Sequence, residues 1–426
     1  MIWNRRNFLI AAGLGSAAST ITANQTLAQP SQAEKEVALE NLKDWDQVRD
    51  FFNLDPDYIH LAGLLIASNP ANVQAAIESH RTGLDNNPTH YLSDHRRNLE
   101  AEVRQSAANY LGVQPDEIAL TDSTTMGTGL VINGLAIRPD QEMLTTEFDY
   151  YSTHASLRYK ADRTGAAVRE IPLYQDIQNV SEDEMVETLV GAIRPNTRLV
   201  TATWVHSNTG LKVPIAQISE RLKAVNANRD EEDRVLFFVD GVHGLGVEEC
   251  DLSEIDCDFF VAGTHKWMFA PRGSGFIWGN PRSQKAVTPT IPTFSRGAGW
   301  GGWMTPGGFK PFEHQWAMVQ AFAFHEQIGQ KRVRKRLHRF SEQMKKGLAK
   351  MEHVTLYTPV DQDVSAAIVC FDVDGSSPQQ VVDGLREQNI IASTTPYATS
   401  YARVSLGIYN TSEEIERTLR AIRELA

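Results

Sequence analysis

Val235-Leu-Phe-Phe-Val-Asp240-Gly-Val-His243 is the stretch on which the reading of this chain turns. Its unbroken apolar run, built from β-branched and aromatic side chains, predicts a strand buried on both faces, as in a parallel sheet under helices. Asp240 closes the run. In open α/β sheets ligands bind at the carboxyl ends of the strands, which is where Asp240 falls. A second run, Phe259-Phe-Val-Ala-Gly263, ends the same way and delivers Thr264-His265-Lys266. Two such strands side by side would put a carboxylate and an amine on one sheet edge.

Further strands are expected near 118–121, 142–146, 167–171, 197–204 and 275–278, with helices at 127–136, 152–164, 181–193 and 214–226. This alternation predicts an α/β domain with a mostly parallel seven-stranded sheet covered on both faces. Ahead of it, helices are expected over 70–84 and 94–111, separated by the loop signal Asn86-Asn87-Pro88. Beyond it, Thr293 to Phe309 is rich in glycine and carries Trp300 and Trp303, the pattern of a long loop that is either a surface connection or a cover over an active site. A basic helix from about His314 to Met351, strands around 364–372 and 403–406, and a helix from Ser412 predict a smaller C-terminal α/β domain. The expected boundaries are a signal segment at 1–28, a polar arm at 29–57, the large domain at 58–292, the loop at 293–312 and the small domain at 313–426.

The chain has 426 residues and a net charge of −12, which excludes the basic surface that nucleic-acid binding needs. Cys250, Cys257 and Cys370 have no metal-ligand or disulfide-framework spacing, so no metal site is expected. Asn4-Arg5-Arg6-Asn7-Phe8-Leu9-Ile10, a mildly apolar run and Thr26-Leu-Ala28 form a twin-arginine export signal with a small-residue cleavage site. The run is too short and too rich in small residues for a membrane span, so no stable anchor is expected after cleavage. The expectation is passage of the folded protein through the twin-arginine translocase to the periplasm.

An amine and a carboxylate at neighbouring strand ends are the pair that pyridoxal phosphate requires. The amine condenses with the aldehyde, and the carboxylate keeps the pyridine nitrogen protonated so that the ring draws electrons. Taken singly, Asp240 reads as a turn cap and Lys266 as a solvated lysine; the pair is more specific than either.

Phe238-Val-Asp240-Gly-Val-His243-Gly and Gly263-Thr-His265-Lys266-Trp-Met-Phe-Ala-Pro-Arg-Gly-Ser-Gly275 resemble the class V aminotransferase family, in the branch of isopenicillin N epimerase-like proteins and cysteine desulfurases. The resemblance runs from about Tyr58 to the C-terminus. It implies the fold type I of pyridoxal-phosphate-dependent transferases, a homodimer with sites at the interface, and pyridoxal 5′-phosphate bound covalently to Lys266. It places Asp240 on the pyridine nitrogen, Tyr150 on the ring face, Asn208 on the 3′-oxygen and His243 on the cofactor. The phosphate side falls to Thr124, Thr125 and His265, and Thr264 is a further cofactor contact. Arg403, with Arg272 and Arg296 as weaker candidates, would take the substrate carboxylate. Read from the residues alone, Thr121-Asp-Ser123-Thr124-Thr125 is a helix N-cap after a strand, a role compatible with holding phosphate.

Two departures matter. Cysteine desulfurases carry a catalytic cysteine in the loop before the Arg403 segment, whereas Ser393 to Ser400 here contains none. The family's Gly-Thr pair that reaches the partner's phosphate is replaced by Phe312-Glu-His-Gln-Trp316. The expected activity is chemistry at the α-carbon of an amino acid or peptidyl amino acid, of aminotransferase or epimerase type, in tailoring a secondary metabolite such as a siderophore. A C–S or β-elimination lyase, or a non-catalytic binding descendant, is the alternative.

Overall fold

The computed structural model describes residue 39 and residues 42–295 and 297–425. The twin-arginine segment, most of the arm ahead of Leu42, and Arg296 lie outside the described residues.

After β1 (Ile59–His60) come β2 (Ile118–Thr121), β3 (Glu142–Thr146), β4 (Ala167–Ile171), β5 (Thr197–Thr203), β6 (Leu236–Asp240), β7 (Phe259–Gly263) and β8 (Gly275–Gly279). Strands β2 to β8 form one seven-stranded sheet in the order β2-β8-β7-β6-β5-β3-β4. β8 runs antiparallel to both neighbours, and the other pairings are parallel. β6 and β7 are adjacent, so Asp240 and the turn that carries Lys266 leave the sheet side by side.

The apolar runs are explained by two cores. Phe237 and Val239 of β6 and Phe260 and Ala262 of β7 face one cluster, with helices Pro88–Leu111 and Met318–Ile328. Leu236, Phe238, Phe259 and Val261 face the other, with helices Thr124–Gly134 and Tyr151–Thr164. Period-two alternation thus persists, with both faces apolar because helices cover both.

Four more strands, β9 (Val354–Leu356), β10 (Ile368–Val373), β12 (Ser393–Thr394) and β13 (Ala402–Ser405), form an antiparallel sheet in the order β12-β13-β10-β9. β11 (Ile390–Ile391) pairs in parallel with β1. Ile59 and Leu61 therefore pack into the C-terminal cluster, with Phe340, Val404 and Ile422.

Three expectations change. Asn87 alone separates helix Ala71–Asn86 from helix Pro88–Leu111, because Pro88 sits at a first helical position, where its missing N–H has no intrahelical role. The single basic helix is instead Phe312–Trp316, Met318–Ile328 and Gln330–Leu348, broken before the last by Gly329 at φ 90°. The glycine-rich segment contains the short helix Gly299–Met304. It docks on the β2 edge of the sheet, where a Cβ on Gly301 would run into the Ile118 carbonyl. Trp300 packs toward Phe259, with ring centroids 6.3 Å apart, and Trp303 is exposed. Among the described residues no helix is long and apolar enough to cross a membrane.

Candidate active site

A cavity of about 310 Å³ opens at the carboxyl ends of β5, β6 and β7. Its wall includes Thr124, Thr125, Tyr150, Asp240, His243, His265, Lys266 and Arg403, so eight of the anticipated site residues meet in one place. Asn208 and Thr264 are buried but not on the wall. The Thr264 hydroxyl is 2.7 Å from that of Ser274, which fixes the turn leading to Lys266.

Asp240 is 2% exposed. Burial raises its carboxyl to about 6, against the Val242 N–H, which donates to it at 3.1 Å, and the Lys266 amine. Burial lowers Lys266 to about 8, with Asp240 opposing the shift and Arg403 adding to it. The environment thus keeps a reactive amine near its titration point and holds a carboxylate for a cationic partner.

His243 fixes the state of that amine. Burial pulls the imidazole well below its ordinary value, with Lys266, Arg403 and His265 acting in the same direction, so the ring is neutral. The Trp267 indole donates to its Nδ1 at 3.1 Å. An indole can only donate, so the ring proton lies on Nε2. That nitrogen is 3.4 Å from Lys266 Nζ. The contact is a hydrogen bond only when Lys266 is the free base and accepts.

The helix Thr124–Gly134 starts at the wall, capped by Ser123, whose Oγ accepts the Met126 N–H at 3.1 Å. Thr124 Oγ1 accepts the Gly263 N–H at 2.8 Å, tying the helix start to the end of β7. A helix N-terminus flanked by hydroxyls is an anion site. His265 lies alongside, pulled down by burial and by Lys266.

Tyr150 is the N-cap residue of helix Tyr151–Thr164 and reaches the wall. It is placed by its neighbour Asp149, a residue with no distinguishing pattern in the sequence. Buried Asp149 accepts from Thr145 Oγ1 (2.7 Å), Thr201 Oγ1 (2.9 Å) and the Thr203 N–H (2.6 Å), clamping the ends of β3 and β5.

Arg403 is 1% exposed on β13. It donates from Nη1 to the Ser207 carbonyl (2.7 Å), from Nη2 to the Thr394 carbonyl (3.1 Å) and from Nε to Ser393 Oγ (3.2 Å). Each terminal nitrogen keeps a second N–H, the fork that a carboxylate accepts.

Several polar atoms at the wall have no hydrogen-bond partner in the protein: Ser152 Oγ, Thr203 Oγ1 and His265 Nδ1. Asn208 Oδ1 and both ring nitrogens of His206 are also unpartnered, and burial lowers His206 to about 4. Buried orphans gathered at one cavity are the mark of a site built around a polar ligand. An anion-binding helix start, a carboxylate facing inward and a depressed lysine fit the phosphate, ring nitrogen and aldehyde of pyridoxal phosphate. Among the described residues no group of three or more His, Cys, Asp or Glu could hold a metal.

The chain is similar to known proteins along most of its length. The chain is 26% identical over 402 residues to isopenicillin N epimerase of Streptomyces clavuligerus, covering 89% of this chain and 98% of that protein. It is 23% identical over 394 residues to a probable cysteine desulfurase of Halobacterium salinarum, covering 86% and 91%. Among solved structures, a C-DES mutant with glycine covalently linked to the PLP cofactor superposes with a TM-score of 0.80 at 24% identity, covering 88% of this chain and 99% of that one. The architecture is fold type I of the pyridoxal-phosphate-dependent enzymes. Residues 67–418 match the family model "Aminotransferase class-V", and the chain belongs to that family.

Proposed function

We propose that this protein is an exported enzyme acting at the α-carbon of an amino acid or peptidyl amino acid, as an aminotransferase or epimerase does. The cofactor is pyridoxal 5′-phosphate. The observation that carries the reading is the convergence of Asp240, Lys266 and Arg403 on one cavity.

When bound, the cofactor supplies an electron sink for the pair released at the α-carbon. The residues of this chain do the rest. Lys266 provides the amine that holds the cofactor and then moves a proton at the α-carbon, a task for which a value of about 8 suits it. The Asp240 carboxylate would accept the ring N–H, and Tyr150 would offer its ring to the cofactor. The helix start at Thr124 and Thr125, with His265, would hold the phosphate. The His243 Nε2–H donates a hydrogen bond that only the free amine of Lys266 can accept, and so favours its nucleophilic form. The fork of Arg403 grips the substrate carboxylate and orients the α-carbon.

Persulfide transfer through a protein thiol is outside this chemistry. Cys250, Cys257 and Cys370 are all buried, and burial pushes all three thiols up, Cys370 to about 12. None lines the cavity. The twin-arginine signal supports loading in the cytoplasm and work in the periplasm, where tailoring of an exported peptide such as a siderophore is the natural task. The working unit is a homodimer.

An absorbance spectrum of the purified protein tests the reading. A visible band that is lost in Lys266→Ala and that shifts with one amino acid or peptide supports it. A protein that stays colourless with added cofactor overturns it, and conversion of cystine to pyruvate, ammonia and cysteine persulfide assigns a lyase instead.

A further inference from the structure

Arg403 leans on Ser207, whose carbonyl takes its Nη1–H. The hydroxyl of the same serine lies 2.8 Å from the phenol oxygen of Tyr397. Ser207 is 5% exposed, lines the cavity, and belongs to the turn after β5 that is closed by the Gly210 N–H on the His206 carbonyl at 2.8 Å.

Tyr397 comes from the loop between β12 and β13, and that loop is tied shut at its base. The Thr395 N–H donates to the Tyr401 carbonyl at 3.0 Å, and the Tyr401 N–H to Thr395 Oγ1 at 3.0 Å. Ser400 Oγ donates to the Thr395 carbonyl at 2.7 Å. Tyr401 stacks on Tyr357 with centroids 3.9 Å apart. At the tip, Pro396 has a fixed φ and lines the cavity, and the Tyr397 ring lies edge-on to Tyr150 at 6.4 Å. Burial pushes the Tyr397 phenol up, so it keeps its proton at any working pH and remains a donor. A rigid loop therefore reaches across to the turn that anchors Arg403 and fastens to it by one hydroxyl pair.

We propose that Tyr397 is the positioning residue for substrate-carboxylate recognition, holding Arg403 in register through Ser207. The inference rests on the carboxylate role of Arg403 given above. Tyr397 acts on the orientation of the fork. It does not touch the cofactor's covalent link.

Two aminooxy probes test this on the cofactor-loaded protein. Aminooxyacetate carries a carboxylate and O-methylhydroxylamine does not, and both discharge the visible band by condensing with the cofactor. The wild type should prefer aminooxyacetate. In Tyr397→Phe the ratio of the two rates should fall about five- to tenfold, the loss expected for one hydrogen bond that orients an ion pair. The rate with O-methylhydroxylamine should hold. Ser207→Ala should lower the ratio by a similar factor, and the double variant no further than either single one. In the cofactor-free protein, amide hydrogen exchange over residues 395–401 should quicken in Tyr397→Phe while β6 and β7 stay protected. An unchanged ratio, an equal fall in both rates, or additive losses in the double variant would each overturn the inference. If the wild type shows no band and neither reagent alters its spectrum, the proposed function falls and takes the inference with it.

Discussion

The two ends of the central strands treat a buried carboxylate in opposite ways. Glu142, the first residue of β3, is 2% exposed and accepts from Arg169 (2.7 Å), Thr197 Oγ1 (2.6 Å) and Arg194 (3.3 Å). Burial alone would raise it, but these partners outweigh burial and its carboxyl sits below the ordinary range. Asp258, just ahead of β7, is surrounded in the same way by Arg234, Arg282, Ser283 and the Phe237 N–H. Asp240, at the far end of β6, is equally buried, yet its surroundings leave it raised to about 6. Residue type and burial match, and the partners differ. One end of the sheet is filled by its own side chains and stabilises the fold. The other satisfies Asp149 but leaves Asp240 short of partners, at a cost in stability, so that a ligand can complete it.

That contrast is open to test. Lys266→Ala should abolish the visible band and lower activity by at least about a thousandfold. Its urea midpoint should not fall, because the change removes a buried amine whose charged form the fold disfavours. Asp240→Asn should lower kcat about a hundredfold, with the cofactor still bound. Glu142→Gln should leave kcat within about twofold and cost about 2–3 kcal/mol in denaturant unfolding, since Arg169 and Arg194 lose their anion but keep access to water. A Glu142 variant that loses activity at full stability, or an Asp240 variant that loses stability at full activity, would break the comparison.

The pH dependence separates the same two ends. The free amine of Lys266 attacks the cofactor aldehyde and the ammonium does not, so loading of the cofactor-free protein should speed up as pH rises through about 8 and level off above it. Glu142 has a folded value below its unfolded one. Its stabilisation is therefore present above the unfolded value and lost as pH falls through the folded one, and Glu142→Gln should flatten the acid limb of the stability curve. The smallest effect concerns Trp267. In Trp267→Phe the Nδ1 of His243 loses its donor, the ring can turn its proton to Nδ1, and Nε2 can then accept from a Lys266 ammonium. The loading midpoint should rise by less than about one pH unit.

Much of this arrangement is legible along the chain because its signals are local. The strands at 118–121, 142–146 and 167–171 are those expected, and β6, β7 and β8 end within a residue of expectation. Asp240 and Lys266 stand out because each directly ends or follows an unbroken apolar run. The clamp of Asp149 is illegible, since its partners Thr201 and Thr203 are more than fifty residues away in another strand. The Ser207–Tyr397 pair spans 190 residues and leaves no pattern in either segment. The glycine-rich segment is a related case. Its glycines suggest freedom over an active site, but Gly301 serves close approach to the β2 edge, and no described residue of 293–312 lines the Lys266 cavity.

By itself, the sequence determined which runs are buried, where they stop, and so which acid and amine stand at the carboxyl ends of strands, because burial and strand termination are written in neighbouring residues. Only the tertiary structure decided that β6 and β7 are adjacent, that Arg403 crosses from the second sheet to face them, and that Trp267 sets the tautomer of His243. Those outcomes depend on register and packing between distant segments, where a shift of one ångström makes or removes a hydrogen bond.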